Sequence, residues 1–125
     1  MSGVVADTSE WIEYFAGRPA AALDHALAAG VVVLPPIVVA ELVSGATAKA
    51  RRALEDLIAD LIVHETPLDH WIRVGALRRD LRGRGLSVST PDAHVAQCAI
   101  DRGAILLTRD RVFMNIARVS PLILG

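Results

Sequence analysis

Cysteine is nearly missing from this 125-residue chain. Cys98 stands alone, so no internal disulfide can form. A reducing cytoplasm is the expected setting. Lysine is equally scarce: Lys49 is the only one, and arginine supplies the remaining basic side chains. Arginine suits planar, bidentate contact with phosphate or carboxylate. The formal net charge of −1 excludes a global electrostatic pull toward polyanions. No apolar run reaches the roughly 18 residues needed to span a bilayer. The opening "MSGVVADTSEW" lacks a basic segment followed by an apolar block, so no export signal is expected. Neither a GxxxxGK(S/T) run nor a GxGxxG turn occurs, which leaves a P-loop or dinucleotide fold unsupported. Repeats, linkers and low-complexity tracts are also absent, and one domain over residues 1–125 is expected.

Short apolar runs alternate with longer helix-like segments. "GVVA", "VVVL" (31–34), "LIVHE" and "AILLT" read as strands, and "PLILG" as a last one. "SEWIEYFAG" reads as a helix capped by Thr8 or Ser9 and stopped near Gly17. Pro19 opens and Gly30 closes an Ala-rich helix. Pro35 and Pro36 open another helix, which Gly45 breaks. Residues 46–60 form an amphipathic helix with Leu54, Leu57 and Ile58 inward. "LDHWIRVGALRRDLRGRG" is a helix with Asp69 as its N-cap. "STPDAHVAQCAIDRG" takes Thr90 as N-cap, Pro91 at the first helical position and Gly103 as its stop. "RDRVFMNIA" is a short helix or turn. Continuously apolar strands between helices predict an α/β fold. Its centre is a parallel sheet of four to five strands, with helices on both faces.

In such sheets the ligand crevice lies beyond the carboxyl ends of the strands. Asp7 follows the first strand directly, and Asp110 follows "AILLT" by two residues. Asp92 falls in the first turn of a helix. Glu41 is the one charge in "PPIVVAELVSG", and on a helix it shares a face with Ile37, Val38 and Leu42. A carboxylate among apolar neighbours is rare unless paired or bound to a metal. Several carboxylates at one rim repel one another, and a divalent cation removes that conflict. All-oxygen, carboxylate-rich sites suit Mg²⁺ or Mn²⁺. The matching reaction class is metal-dependent phosphodiester hydrolysis. Each residue has a structural alternative: Asp7 as a helix cap, Asp92 as a dipole partner, Asp110 as a turn residue, Glu41 as half of an ion pair.

Other acid-based designs fit less well. A haloacid-dehalogenase-type phosphatase needs Asp-x-Asp after the first strand, and position 9 is Ser9. A receiver domain needs an Asp at the end of the third strand, where "LIVHETP" has none. The histidines His25, His64, His70 and His94 are scattered along the chain and show no zinc spacing. His94 reads as surface or packing, and Cys98 as core.

Taken in order, "VVADTSEWIEYF", "PPIVVAELVSG", "STPDAHVAQCAIDRGAILLTRDRVF" and "PLILG" resemble the PIN-domain family, specifically VapC-type ribonuclease toxins of toxin–antitoxin pairs. The resemblance covers essentially the whole chain. It implies a Mg²⁺- or Mn²⁺-dependent endoribonuclease whose acidic quartet maps onto Asp7, Glu41, Asp92 and Asp110. Thr108 matches the hydroxyl that commonly accompanies the last Asp. The resemblance also implies a homodimer and a VapB-like antitoxin that blocks the site. One departure matters: many relatives carry a further acid where this chain has Val112. One well-occupied metal is therefore expected in the free protein, with a second only beside RNA.

For an RNA substrate, the arginines of "LRRDLRGRG" (Arg78, Arg82, Arg84, with Arg79) and Arg109 are candidate phosphate contacts. A solvated helix face is the competing reading. Aromatic residues make up only 4%, so target choice is expected to rest on RNA shape rather than broad stacking. Trp11, Tyr14 and Phe15, beside the Ala-rich helix, are candidates for an apolar partner groove or for core. The competing functions are a non-catalytic PIN-like module that binds RNA or protein, and a phosphatase or DNA nuclease using the same carboxylates.

Overall fold

In the computed structural model, which describes residues 3–125, strands and helices alternate as the sequence predicts. The elements are β1 (Val4–Ala6), α1 (Thr8–Phe15), α2 (Ala21–Ala28), β2 (Val32–Leu34), α3 (Pro36–Gly45) and α4 (Ala48–Ala59). Then follow β3 (Ile62–Val63), α5 (Leu68–Gly83), α6 (Thr90–Arg102), β4 (Ile105–Leu107), α7 (Val112–Val119) and β5 (Ile123–Leu124). One five-stranded sheet runs β3-β2-β1-β4-β5, and every pairing is parallel. Val5 stands opposite Val33 on one side and Leu106 on the other.

Side chains alternate between the two faces of a strand. Yet all residues of β1 and β2 are buried, so helices must cover both faces. The core gathers β1, β2 and β4 with Trp11, Leu23, Val38, Leu81, Phe113 and Ile116. Leu54 is buried and Leu57 and Ile58 half-buried, as the amphipathic pattern of α4 predicts. The edge strands β3 and β5 are two residues each, shorter than "LIVHE" and "PLILG" suggest. The segment read as a short helix or turn forms a true helix only from Val112 onward, α7.

Four helix starts differ from expectation. α2 begins at Ala21 with Ala20 at its cap position, so Pro19 precedes the helix rather than opening it. Asp7, not Thr8 or Ser9, caps α1 by accepting from the Glu10 N–H. Ser89, not Thr90, caps α6 through the Asp92 N–H. Asp69 lies inside α5, whose cap position is Pro67. In these last three the expected cap is itself already helical, and a cap must sit on extended backbone. Gly103 closes α6 with φ +60°, a left-handed conformation that favours glycine. Gly3 has φ +111°, and a Cβ there would meet the Val31 carbonyl at 3.0 Å. That close approach delivers β1 into the middle of the sheet.

Candidate active site

Strand order reverses at β1, which has β2 on one side and β4 on the other. That reversal opens a crevice at the carboxyl ends of the strands. Asp7 sits there, 6% exposed, immediately after β1. Its Oδ1 accepts from Ser9 Oγ at 2.5 Å and from the Glu10 N–H at 3.2 Å. Its Oδ2 accepts from Thr108 Oγ1 at 2.6 Å. Asp7 therefore is a helix cap, and its second oxygen still has a lone pair to offer.

Thr108 also accepts the Asp110 N–H at 3.0 Å. Asp110 Oδ1 in turn accepts the Val112 N–H at 3.0 Å, which aims the carboxylate and starts α7. Glu41 Oε1 accepts from Thr8 Oγ1 at 2.9 Å, linking α3 to α1. Asp92 occupies the first turn of α6 and is half-buried. Burial pushes its carboxyl pKa up, the Ser89 hydroxyl pulls it down, and the charges of Asp110, Asp7 and Glu41 push it up further. The four expected acids thus lie within electrostatic reach of one another.

Glu41 is not buried, contrary to the reading of "PPIVVAELVSG". Val38 and Leu42 form the buried stripe of α3. Glu41 lies about 60° around the helix from Val38, at the solvent edge of that stripe. Apolar neighbours flank it while its carboxylate faces the rim.

Among the described residues, no ion pair includes Asp7, Glu41, Asp92 or Asp110. Arg109 turns elsewhere: its Nε donates to Glu10 Oε2 at 3.1 Å and its Nη2 to the Pro19 carbonyl at 2.9 Å. Its backbone N–H donates to Ser9 Oγ at 3.0 Å. Arg109 and the largely buried Glu10 pin the β4–α7 loop onto α1. Sequence reasoning missed Glu10. The available signal was a carboxylate beside Trp11 with an arginine following the other site strand. Arg78 donates to the Val88 carbonyl at 2.9 Å and holds the α5–α6 connection. Arg82 and Arg84 are exposed at the end of α5.

Beside Glu41 a groove of about 500 Å³ runs between α1, α3 and α4, lined by Thr8, Ile12, Phe15, Leu42, Ala46 and Leu54 among others. Trp11 is core at 1% exposure, while Phe15 is 47% exposed at the groove. The groove at Phe15 therefore lies against α4, while a smaller pocket of about 260 Å³ joins Tyr14 to Leu27 of the Ala-rich helix α2.

Three of the four histidines are not scattered in space. His64, His70 and Cys98 bring ligand-capable atoms within 4.8 Å of one another, and all three are buried. His94 Nδ1 lies 2.7 Å from His70 Nε2. Burial holds His94 neutral, with its pKa down to about 4, and drives the Cys98 thiol up to about 12. Sequence spacing hid this because helix packing, not a local motif, assembles it. The single local signal was His94 and Cys98 at i, i+4.

A four-carboxylate set with no basic partner among the described residues fits a hard divalent cation. The donors are all oxygen, and the charges of Asp110, Asp7 and Glu41 add to burial in raising the Asp92 pKa against the Ser89 hydroxyl.

A sequence model of the PIN domain matches residues 4–119. No curated protein matches the chain. Several solved structures share the fold. DNA-bound VapBC from Salmonella typhimurium gives a TM-score of 0.81 at 21% identity, covering 100% of this chain and 98% of that one. VapBC2 from Rickettsia felis, bound to a promoter DNA fragment, gives 0.78 at 22% identity, with 98% and 96% coverage. VapBC-5 from Mycobacterium tuberculosis, a member of a toxin–antitoxin family, gives 0.71 at 25% identity, with 100% coverage of each chain. No helix among the described residues is long and apolar enough to cross a membrane.

Proposed function

This chain belongs to the PIN-domain family, and on that premise we propose that it is a VapC-type toxin: a Mg²⁺- or Mn²⁺-dependent endoribonuclease. The observation that carries the reading is the convergence of Asp7, Glu41, Asp92 and Asp110 at the strand-order reversal, without a basic partner among the described residues. These four carboxylates would hold the ion. A bound divalent ion would supply charge neutralisation at the phosphate and acidification of a water.

The chain's own side chains prepare that site. Thr108 fixes Asp7 and receives the Asp110 N–H, so one hydroxyl sets two carboxylates. Thr8 orients Glu41. Arg109 locks the loop that carries Asp110. Arg82 and Arg84, exposed at the end of α5, are the arginines best available for RNA phosphates. Arg78 and Arg109 serve chiefly as struts.

The proposed partner is a VapB-like antitoxin, and the proposed assembly contains a homodimer. The groove between α1, α3 and α4 is predominantly apolar and opens beside Glu41. An amphipathic partner segment seated there would bury Ile12 and Phe15 and close one side of the acidic rim. Val112, where many relatives have an acid, favours a second reading: a PIN module that binds RNA without cutting it.

Incubation of the purified chain with total RNA separates the two. The enzyme reading expects fragments in Mg²⁺, none in EDTA, and none from Asp7→Ala in Mg²⁺. Identical patterns from wild type and Asp7→Ala sink it. RNA binding by gel shift without cleavage in either metal leaves the module.

A further inference from the structure

The carboxylate rim uses no histidine, yet three of the four meet the single cysteine at one place. His64 follows β3, His70 opens α5, and Cys98 lies within α6. His70 and Cys98 are fully buried, and His64 is 9% exposed. Their ligand-capable atoms lie within 4.8 Å of one another. Ligands around a tetrahedral zinc stand roughly 3.5 Å apart, so closure by about 1 Å suffices. His94 borders the cluster, with Nε2 3.7 Å from Cys98 Sγ.

A carboxylate already orients one of the rings. Asp101 Oδ2 lies 3.3 Å from His70 Nδ1. Asp101 is itself fixed by Arg73 Nη2 at 2.8 Å and Gln97 Nε2 at 2.8 Å. A carboxylate on one ring nitrogen selects the tautomer whose other nitrogen is free to ligate. His70 Nε2 faces away from Asp101 and lies 2.7 Å from His94 Nδ1, a contact that a bound metal would replace. Arg102 Nη1 stands 3.4 Å from His64 Nδ1. The facing charges are thus Asp101, Arg73 and Arg102, and Arg73 is already engaged with Asp101.

We propose that His64, His70 and Cys98 form a second metal site, selective for Zn²⁺ over Mg²⁺, that staples the β3 edge to the α5–α6 pair. Imidazole and thiolate are borderline-to-soft donors, the opposite of the all-oxygen rim. Binding replaces the Cys98 S–H bond with a metal–sulfur bond and releases that proton to solvent. A nucleophilic role for Cys98 is disfavoured, because no substrate reaches a thiol with 0% exposure. His94 or a water completes the coordination. Trp71 stacks on His94 with ring centroids 4.7 Å apart, which gives the site its own optical reporter.

The test uses the full chain freed of any affinity tag. It is loaded with Zn²⁺ or Co²⁺, desalted, and analysed for metal by mass spectrometry and absorption. The expected result is ~1 zinc per chain, with tetrahedral visible bands and a thiolate charge-transfer band in the cobalt form. Asp7→Asn keeps all of these. Cys98→Ser and His64→Gln lose the retained zinc, and the thiolate band disappears from Cys98→Ser. Zinc raises the melting temperature of native protein and of Asp7→Asn, but not of Cys98→Ser. Native protein with no thiolate–cobalt band overturns the proposal, and this holds even if both cluster variants fail to fold. Zinc retained by Cys98→Ser but lost by Asp7→Asn also overturns it, because the carboxylates would then be the binders.

Discussion

Thr108 Oγ1 lies 2.6 Å from Asp7 Oδ2 and joins the end of β4 to the end of β1. The same oxygen receives the Asp110 N–H, so two candidate metal ligands depend on one hydroxyl.

Thr108→Val keeps the shape and removes the hydroxyl. Loss of the hydrogen bond to a charged group costs about 1.5–3 kcal/mol of stability. RNA cleavage in Mg²⁺ should fall about tenfold or more, whereas Thr108→Ser should retain most activity. Wild-type cleavage by the valine variant would remove Thr108 from the site's support.

Asp92 gives a test with opposite signs for stability and activity. Its folded pKa is raised, first by burial and then by Asp110, Asp7 and Glu41 against the counteracting Ser89 hydroxyl. A raised folded pKa means that its stabilising contribution is complete below the unfolded value of about 3.9. That contribution is lost as pH rises through the folded value. At neutral pH without metal, the ionised Asp92 therefore opposes folding. Asp92→Asn should melt higher than wild type in EDTA at pH 7 and should cut RNA poorly in Mg²⁺. A lower melting temperature in EDTA would show that Asp92 is held by an attraction rather than strained by repulsion.

Arg109 and Glu10 form a partly exposed ion pair beside the site. Arg109→Gln should lower stability by about 1 kcal/mol, discounted for solvent screening at the arginine. It should also slow cleavage while leaving RNA affinity nearly unchanged. Arg82→Glu should do the reverse: weaker RNA binding that depends on salt, and little change in melting temperature. Measuring both quantities for both variants separates strut from phosphate contact.

Asp101 predicts acid sensitivity. Burial pushes its pKa up, but hydrogen bonds from Arg73, Gln97 and His70, with the Arg73 charge, bring it below the ordinary carboxylate value. A lowered folded pKa supplies stability above the unfolded pKa, and that stability is lost as pH falls through the folded value. Wild type should therefore lose its advantage over Asp101→Asn below about pH 4. Parallel denaturant curves at pH 3 and pH 7 check this. An equal gap at both pH values contradicts it.

Most of the fold was legible because apolar runs and helix punctuation repeat the alternation of elements. "GVVA", "VVVL" and "AILLT" became three adjacent central strands. Helix starts were less legible where several capping residues stand together. "DTSE" offers Asp7, Thr8 and Ser9, and only the end of β1 decides among them. The positions of Asp7 and Asp110 just past strand ends, and of Asp92 in a first helical turn, were readable. The exposure of Glu41 was not, because a helical face in sequence has a width that only packing trims. The histidine–cysteine cluster was hidden for a different reason. His64, His70 and Cys98 come from β3's end, α5 and α6, and no short spacing encodes their meeting.

The two-residue edge strands have a consequence for colloidal behaviour. An open sheet invites a neighbouring chain to add a strand along its unpaired backbone. Here both margins carry exposed apolar side chains, Ile62 and Val63 on β3 and Ile123 on β5. Long margins of that composition would template sticky growth. With two residues per margin, an incoming strand gains only a few backbone hydrogen bonds, too few to offset the entropy of ordering it. Brevity at the borders thus lets an apolar, fully parallel sheet stay open-ended without seeding aggregation.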